Sequence, residues 1–394
     1  MTSLASVSKG TPPFKTDELD RQMVAAGLDI IVATSRHNVQ YLLGGYRFFF
    51  FETMEAMGTS RYLPAVIYRC GRPAETVYVG CGMESFERDN GRLWPQTLDL
   101  GATGSEATAR QVVGHIERLG GEGASIGLEL PFIPADAAHV IRQGLARSTV
   151  LDATVPLERL RAVKTPAEIG MLRHASEQVV DAILATFRAV KPGQTKSEIS
   201  DRLRREEVQR GLVFDYCLIT AGTSLNRAPS PQAIKAGDII SLDSGANNNG
   251  YIGDLCRMGI LGRPDSELVD LLALVEEVQQ AARRVVRAGT RGGEVVAVGE
   301  AMVKRSPHAA YTHYMAHGMG LVSHEAPRLA TMPRFSYSGD DASKPLAAGM
   351  VLSIETTMAH PRCGFIKLED TILVTKDGHE ALGDGARGWN VIPL

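Results

Sequence analysis

Five side chains able to hold a cation are spread through the second half of the chain. They are Asp243 in Leu242-Asp243-Ser244-Gly245, Asp254 eleven residues later in Tyr251-Ile252-Gly253-Asp254, His317, Glu355 in Ser353-Ile354-Glu355, and Glu369 in Lys367-Leu368-Glu369-Asp370. His317 opens the run His317-Gly318-Met319-Gly320-Leu321-Val322-Ser323-His324-Glu325-Ala326-Pro327. Each acid lies in an apolar, β-branched context: Ile239-Ile240-Ser241-Leu242 before Asp243, Met350-Val351-Leu352-Ser353-Ile354 before Glu355, and Thr371-Ile372-Leu373-Val374 after Glu369. Such runs read as buried strands. A buried carboxylate is costly unless positive charge meets it, and the nearby basic candidate in sequence is Lys367. A divalent ion, or a pair of them, is the economical answer. Four carboxylates with one imidazole suit manganese, cobalt, zinc or iron better than a thiolate-seeking metal, and carboxylates can bridge two ions.

Helices must frame these strands. Thr165 with Glu168 three residues on reads as a capping box, with Pro166 in the first helical position. The helix it opens runs to about Val190, and a second follows from Lys196 to about Arg210. The pattern returns later, with one helix from Ser266 to Arg287 and another from Glu294 to Lys304, each pair joined by a glycine-bearing turn and flanked by strand-rich sequence. This internal echo predicts two helix–turn–helix halves with associated strands, hence a pseudo-two-fold α/β sandwich whose central acids come from both halves.

Upstream, strands are expected at Leu28–Thr34, Tyr62–Arg69, Glu75–Val79 and Ser125–Leu130, with helices at Ser105–Leu119 and Ala135–Leu145, an α/β layer. The run Tyr46-Arg47-Phe48-Phe49-Phe50-Phe51-Glu52 places four aromatics in succession. They cannot all face one core, so part of the run is expected to meet another surface.

With 394 residues the chain has room for two or three domains. Its charged fraction of 22% and hydrophobic fraction of 44% are those of an ordinary globular protein. The net charge of −3 argues against nucleic-acid binding. No apolar run approaches the roughly 20 residues a membrane span needs, and the polar first residues carry no signal-peptide pattern. Five cysteines without Cys-x-x-Cys spacing fit free thiols in a cytoplasmic protein.

The order Asp243, Asp254, the His317–Pro327 run, Glu355 and Glu369-Asp370-Thr371 resembles the pita-bread metallopeptidases, namely methionine aminopeptidase, aminopeptidase P and prolidase. Asn38, Tyr41 and Gly44, in Asn-x-x-Tyr-Leu-x-Gly, resemble the N-terminal domain of prolidase, aminopeptidase P and creatinase. The resemblance implies an α/β creatinase/prolidase-like domain over 1–155 and an α+β pita-bread catalytic domain over 156–394. It implies that Asp243 holds one ion, that Asp254 and Glu369 bridge two, and that His317 and Glu355 hold the other. His324 would bind the substrate carbonyl or the tetrahedral intermediate, and Glu355 would take a proton from a bridging water whose pKa the metals bring toward 7. It also implies a homodimer, with 48–61 at the interface. The expected reaction is hydrolysis of a small peptide or amide, most like that of an Xaa-Pro dipeptidase.

Three positions depart from the family pattern. Asn226 falls where these peptidases carry a histidine, and an amide is no general acid near neutral pH. Thr356 replaces the usual proline, and Lys367 the usual arginine; a lysine offers a point charge and not a bidentate fork. His313 and His360 are candidates to line the pocket and supply the missing proton donor, and Arg47 and Arg61 are candidate carboxylate binders. These departures keep open a non-peptidase reaction on the same scaffold, such as hydrolysis of another small C–N bond or a dimethylsulfoniopropionate-lyase-like cleavage. A non-catalytic binding module is the third reading.

Overall fold

The computed structural model describes residues 8–55, 58, 60–331 and 338–394. Contacts divide the chain into two compact units, Met1–Arg161 and Ala162–Leu394.

The first unit contains α1 (Thr16–Ala25), β1 (Ile30–Ala33), α2 (Arg36–Leu42), β2 (Ala65–Arg69), β3 (Val77–Val79), α3 (Ser85–Asp89), β4 (Thr97–Asp99), α4 (Ser105–Arg118), β5 (Ser125–Leu128), α5 (Ala135–Gly144), β6 (Thr149–Asp152) and α6 (Thr154–Leu160). Its six strands lie in the order β4-β3-β2-β1-β5-β6. β2 runs antiparallel to both neighbours, and β5 and β6 are parallel to β1. The α/β layer expected from the sequence is present, with one apolar cluster on each side of the sheet. Leu157 and Leu160 of α6 pack into this unit's core with Leu19 and Met23 of α1. That helix straddles the join expected at 155/156.

Two buried acids knit the first unit. Glu84, fully buried, accepts from the hydroxyls of Tyr46, Tyr62 and Tyr78. Glu129 accepts from the Ser35 amide and hydroxyl and from Asn38 Nδ2. Asn38 Oδ1 in turn accepts from Arg161, so this motif residue ties α2 to the sheet and to the end of α6. In the aromatic run, a 3-10 turn at Phe49–Phe51 sends successive rings in different directions. Phe48 and Phe51 are buried, whereas Phe49 is 56% exposed.

The second unit contains α7 (Pro166–Ala189), α8 (Lys196–Gln209), β7 (Val213–Ala221), β8 (Ile239–Asn248), β9 (Tyr251–Leu261), α9 (Ser266–Arg283), α10 (Gly292–Arg305), β10 (Thr312–Gly318), β11 (Val351–His360), β12 (Gly364–Val374), β13 (His379–Leu382) and β14 (Asn390–Ile392). The capping box at Thr165 is formed: its side chain accepts from the Glu168 amide, and Glu168 accepts from the Thr165 amide at 2.7 Å. The sheet runs β10-β11-β12-β9-β8-β7, with β13 beside β12 and β14 beside β9. Helices α7 and α8 cover β7, β8 and β9, while α9 and α10 cover β10, β11 and β12. The halves meet where Glu369 of β12 pairs with Cys256 of β9. No helix among the described residues is long and apolar enough to cross a membrane.

Candidate metal centre

Strand period and register bring the five ligand candidates together. Glu355 pairs with Glu369, Glu369 with Cys256, and Cys256 with Asp243. Asp254 lies two residues before Cys256 and pairs with Gly245, and His317 pairs with Ser353, two residues before Glu355. Side chains two apart share a face of a strand, so all five project from the same side across the seam between the halves. Two overlapping ligand groups result, His317–Glu355–Glu369 and Asp243–Asp254–Glu369, with one donor atom from each residue within 4.8 Å of the others in its group. All five residues are buried.

Glycines make the approach possible. A Cβ on Gly318 would lie 2.4 Å from backbone atoms of Ala326 and Pro327, and one on Gly320 would lie 2.3 Å from Glu325 Oε1. The His317–Pro327 loop therefore folds back onto itself, closed by the Glu325 amide on the Gly318 carbonyl at 3.0 Å. This turn stacks the His324 ring on His317, with centroids 3.8 Å apart and planes 16° from parallel. A Cβ on Gly245 would meet the Tyr216 ring at 2.4 Å; the space left there admits Tyr216, which hydrogen-bonds Asp254.

The electrostatics are those of a site built for positive charge. Burial, reinforced by Asp243, pushes the Asp254 carboxyl up to about 7, and burial with the neighbouring acids also raises Glu369. Burial pushes His317 down to about 4, and burial with the adjacent His317 pushes His324 down to about 3, so both imidazoles are neutral at pH 7. His317 Nδ1 lies 3.2 Å from the Gly318 carbonyl oxygen. A carbonyl only accepts, which puts the proton on Nδ1 and the lone pair on Nε2. That Nε2 and Asp254 Oδ1 are buried without a hydrogen-bond partner. Orphaned donor atoms on an imidazole and a carboxylate, within a set of four acids, fit a hard-to-borderline divalent ion.

Lys367 is part of the centre. It sits two residues before Glu369 on β12, on the same face, and its Nζ lies 2.8 Å from Asp243 Oδ2, 2.5 Å from Glu355 Oε2 and 2.7 Å from Glu369 Oε2. Burial disfavours its charge, and the three carboxylates outweigh that, holding the ammonium well above its usual range. Arg227, which the sequence reading missed, also pairs with Asp243 Oδ2 and lies over the Phe365 ring. Its place directly after Asn226 was the available signal.

The remaining candidates separate. His313 shares the His317 face of β10 by strand period and is exposed. Asn226 is exposed in the loop after β7, its Oδ1 accepting from the Ala228 amide. His360 is a correction: an odd number of residues beyond Glu355, it turns to the other face of β11, where it groups with Glu267 and Cys363 and its Nδ1 accepts from the Cys363 amide. Arg47 pairs with Glu52, and Arg61 with Glu55 at 3.2 Å, both partners within the first unit.

The profile of metallopeptidase family M24 matches residues 170–376, more than half of the chain, and that of the creatinase/prolidase N-terminal domain matches 15–163. The chain belongs to metallopeptidase family M24. Among curated M24 relatives, the Xaa-Pro dipeptidase of Pyrococcus furiosus is 26% identical over 232 residues, which cover 57% of this chain and 64% of that protein. The Xaa-Pro dipeptidase of Lactobacillus helveticus is 26% identical over 250 residues, covering 62% of this chain and 66% of its own length. The match thus spans under two thirds of these relatives. Solved structures share the fold more widely. An Xaa-Pro dipeptidase from Bacillus anthracis superposes with a TM-score of 0.79 at 21% identity, over 96% of this chain and 99% of that one. An X-Pro aminopeptidase from Thermotoga maritima gives 0.77 at 17% identity, over the same shares of the two chains. The two-domain M24 architecture implied by the sequence motifs is therefore present.

Proposed function

We propose that this chain is a divalent-metal-dependent dipeptidase acting on Xaa-Pro substrates. The observation that carries the reading is the pair of ligand groups sharing Glu369, with His317 Nε2 and Asp254 Oδ1 left without partners; the names of the curated relatives point to the substrate class. His317, Glu355 and Glu369 would hold one ion and Asp243, Asp254 and Glu369 a second, manganese being the first metal to load. Ions there supply Lewis-acid polarisation and an activated water. The neutral His324 offers one N–H to the substrate carbonyl oxygen, where negative charge develops during attack. Glu355 is the acceptor for the proton released.

The reading extends to a cytoplasmic homodimer. Its five cysteines are free thiols, and the exposed Phe49 beside Phe48 and Phe50 offers an apolar contact. Residues 56, 57 and 59 of the proposed interface stretch 48–61 lie outside the described residues. Light scattering at micromolar concentration checks the dimer, and a monodisperse monomer rejects it.

The deciding experiment is turnover of a panel of Xaa-Pro dipeptides, non-proline dipeptides and small amides after loading with manganese, cobalt, zinc or iron. Selective cleavage before proline is expected. Stoichiometric metal with no dipeptide turnover would overturn the peptidase reading.

A further inference from the structure

Away from the seam, a third set of donors converges. Glu267 in the first turn of α9, His360 at the end of β11 and Cys363 in the turn before β12 each bring one ligand atom within 4.8 Å of the others. His360 lies on the opposite face of β11 from Glu355 and five residues further on, roughly 17 Å along the strand, so this group shares no residue with the seam centre. Two of its donors come from His360-Pro361-Arg362-Cys363, the two-residue spacing with which a turn offers a pair of ligands to zinc. The third comes from a helix distant in sequence.

We propose that Glu267, His360 and Cys363 form a peripheral site for a thiophilic divalent ion, zinc above all, that ties the start of α9 to the β11–β12 turn. One sulfur, one imidazole and one carboxylate are a borderline donor set, unlike the oxygen-rich seam, and suit zinc with solvent in the fourth position. Ligands around tetrahedral zinc lie about 3.4–3.8 Å apart, so the donors need close by only about 1 Å. The Cys363 amide donates to His360 Nδ1 at 3.0 Å, which keeps the lone pair of the neutral ring on the nitrogen facing Cys363 and the proton on Nε2. An ion takes that lone pair in place of the amide, which lies in a half-buried turn open to water. The Cys363 thiol donates to Glu267; when its sulfur binds an ion, that proton leaves to solvent. Arg362 takes Glu267 Oε1 but is 73% exposed, and an exposed pair of this kind holds the carboxylate by about 1 kcal/mol or less. The His308 and Tyr311 rings, centred 5.5 and 5.2 Å from that of His360 and joined to each other at 2.7 Å between Nδ1 and the hydroxyl, hold the His360 ring in place.

The test is titration of reduced, metal-free, full-length protein with Co2+, followed in the near ultraviolet for a thiolate-to-cobalt band. Such a band requires sulfur, and none of the five seam candidates supplies it. The wild type should show the band; Cys363→Ser should abolish it and remove one equivalent of bound cobalt, and His360→Ala should weaken binding at this site at least tenfold. On the wild type alone, Zn2+ should slow alkylation of Cys363, read by peptide mass spectrometry, at least tenfold, with Cys70, another half-buried thiol, changing less than twofold. No band in the wild type, a band kept in folded Cys363→Ser, or Cys363 alkylation indifferent to Zn2+ would overturn the proposal. So would a band lost in Cys256→Ser instead, since Cys256 pairs with Asp243 and Glu369 at the seam. The alkylation result decides even if the variants fail to fold. The site does not depend on the metal-centre reading: cobalt bound without a thiolate band supports the seam and rejects this site.

Discussion

Lys164 Nζ lies 3.1 Å from Glu325 Oε1, and both side chains are 1% exposed. Glu325 directly follows His324, so this pair pins the loop that carries His324 to the segment entering α7. Removing one partner of a buried pair leaves the other charge uncompensated. Lys164→Met should lower the unfolding free energy by about 3–5 kcal/mol and reduce turnover through displacement of His324. Denaturant unfolding checks the first effect, and a loss under about 1 kcal/mol would show that the pair is not holding the loop.

The convergence of the five ligand candidates was legible because each is a polar residue in an apolar, β-branched run, and strand period alone then assigns it a face. The same parity could have excluded His360 and shown that Asp370 turns away from Glu369. Lys367 was read as a nearby base, but its position between three acids depends on where a long side chain bends across neighbouring strands, which no spacing encodes. Arg227 was missed because it is carried by an irregular loop. The long helices of the second unit were visible through capping and periodicity. The short elements α2, α6, β4 and β6 were not, since seven residues or fewer hold too little periodicity to separate from loop. Asn38 was noticed as a family mark; that it links Glu129 to Arg161 emerges only from contacts between distant parts of the chain.

On the sheet face behind the centre, Arg257 uses every donor it has. Nε donates to the Gly385 carbonyl, Nη1 to those of Cys256 and Glu369, and Nη2 to that of Gly383 and to Asp370 Oδ1. Burial would raise the Asp370 carboxyl, but Arg257 and Arg387 outweigh it and keep it below its ordinary value. Because the guanidinium fork fastens the backbone of Glu369 itself, Arg257→Lys should not be conservative. A loss of about 2–4 kcal/mol and weaker metal retention are expected. Thermal unfolding and metal content after dialysis measure both, and wild-type values for each would remove Arg257 from the support of the centre.

Glu207 on α8 is fully buried, and burial pushes its carboxyl from the ordinary 4.5 up to about 8. Ser244 Oγ lies 2.8 Å from Glu207 Oε1 and 2.9 Å from the Tyr216 carbonyl oxygen. One hydroxyl proton cannot serve two acceptors, so a protonated Glu207 satisfies the arrangement. With the folded value raised, the native state binds the extra proton between pH 4.5 and about 8. Stability from this group is complete below that window and falls as pH rises through it. Glu207→Gln should therefore leave stability near pH 4.5 unchanged and raise it at pH 8 to 9 by roughly 1–3 kcal/mol. Equal stability of wild type and variant at both ends of the window would show that the carboxyl ionises freely in the fold.

The last contrast separates holding an ion from using it. Glu369 belongs to both ligand groups, so Glu369→Gln, which keeps the shape and removes the charge, should lower metal content and dipeptide turnover together. His324 belongs to neither ligand group; it stacks on the ring of His317 and is held neutral at pH 7 by burial and that neighbour, and the proposed role is donation to a developing oxyanion. Removing one such donor costs about 100- to 1,000-fold in kcat. His324→Asn should therefore keep its metal and lose turnover by about that factor, chiefly in kcat and not in KM. Metal analysis beside steady-state kinetics on the two variants gives the answer. Full metal and full turnover in Glu369→Gln would refute the shared-ligand assignment, and loss of metal in His324→Asn would make His324 a support for His317 instead of a contact for the substrate.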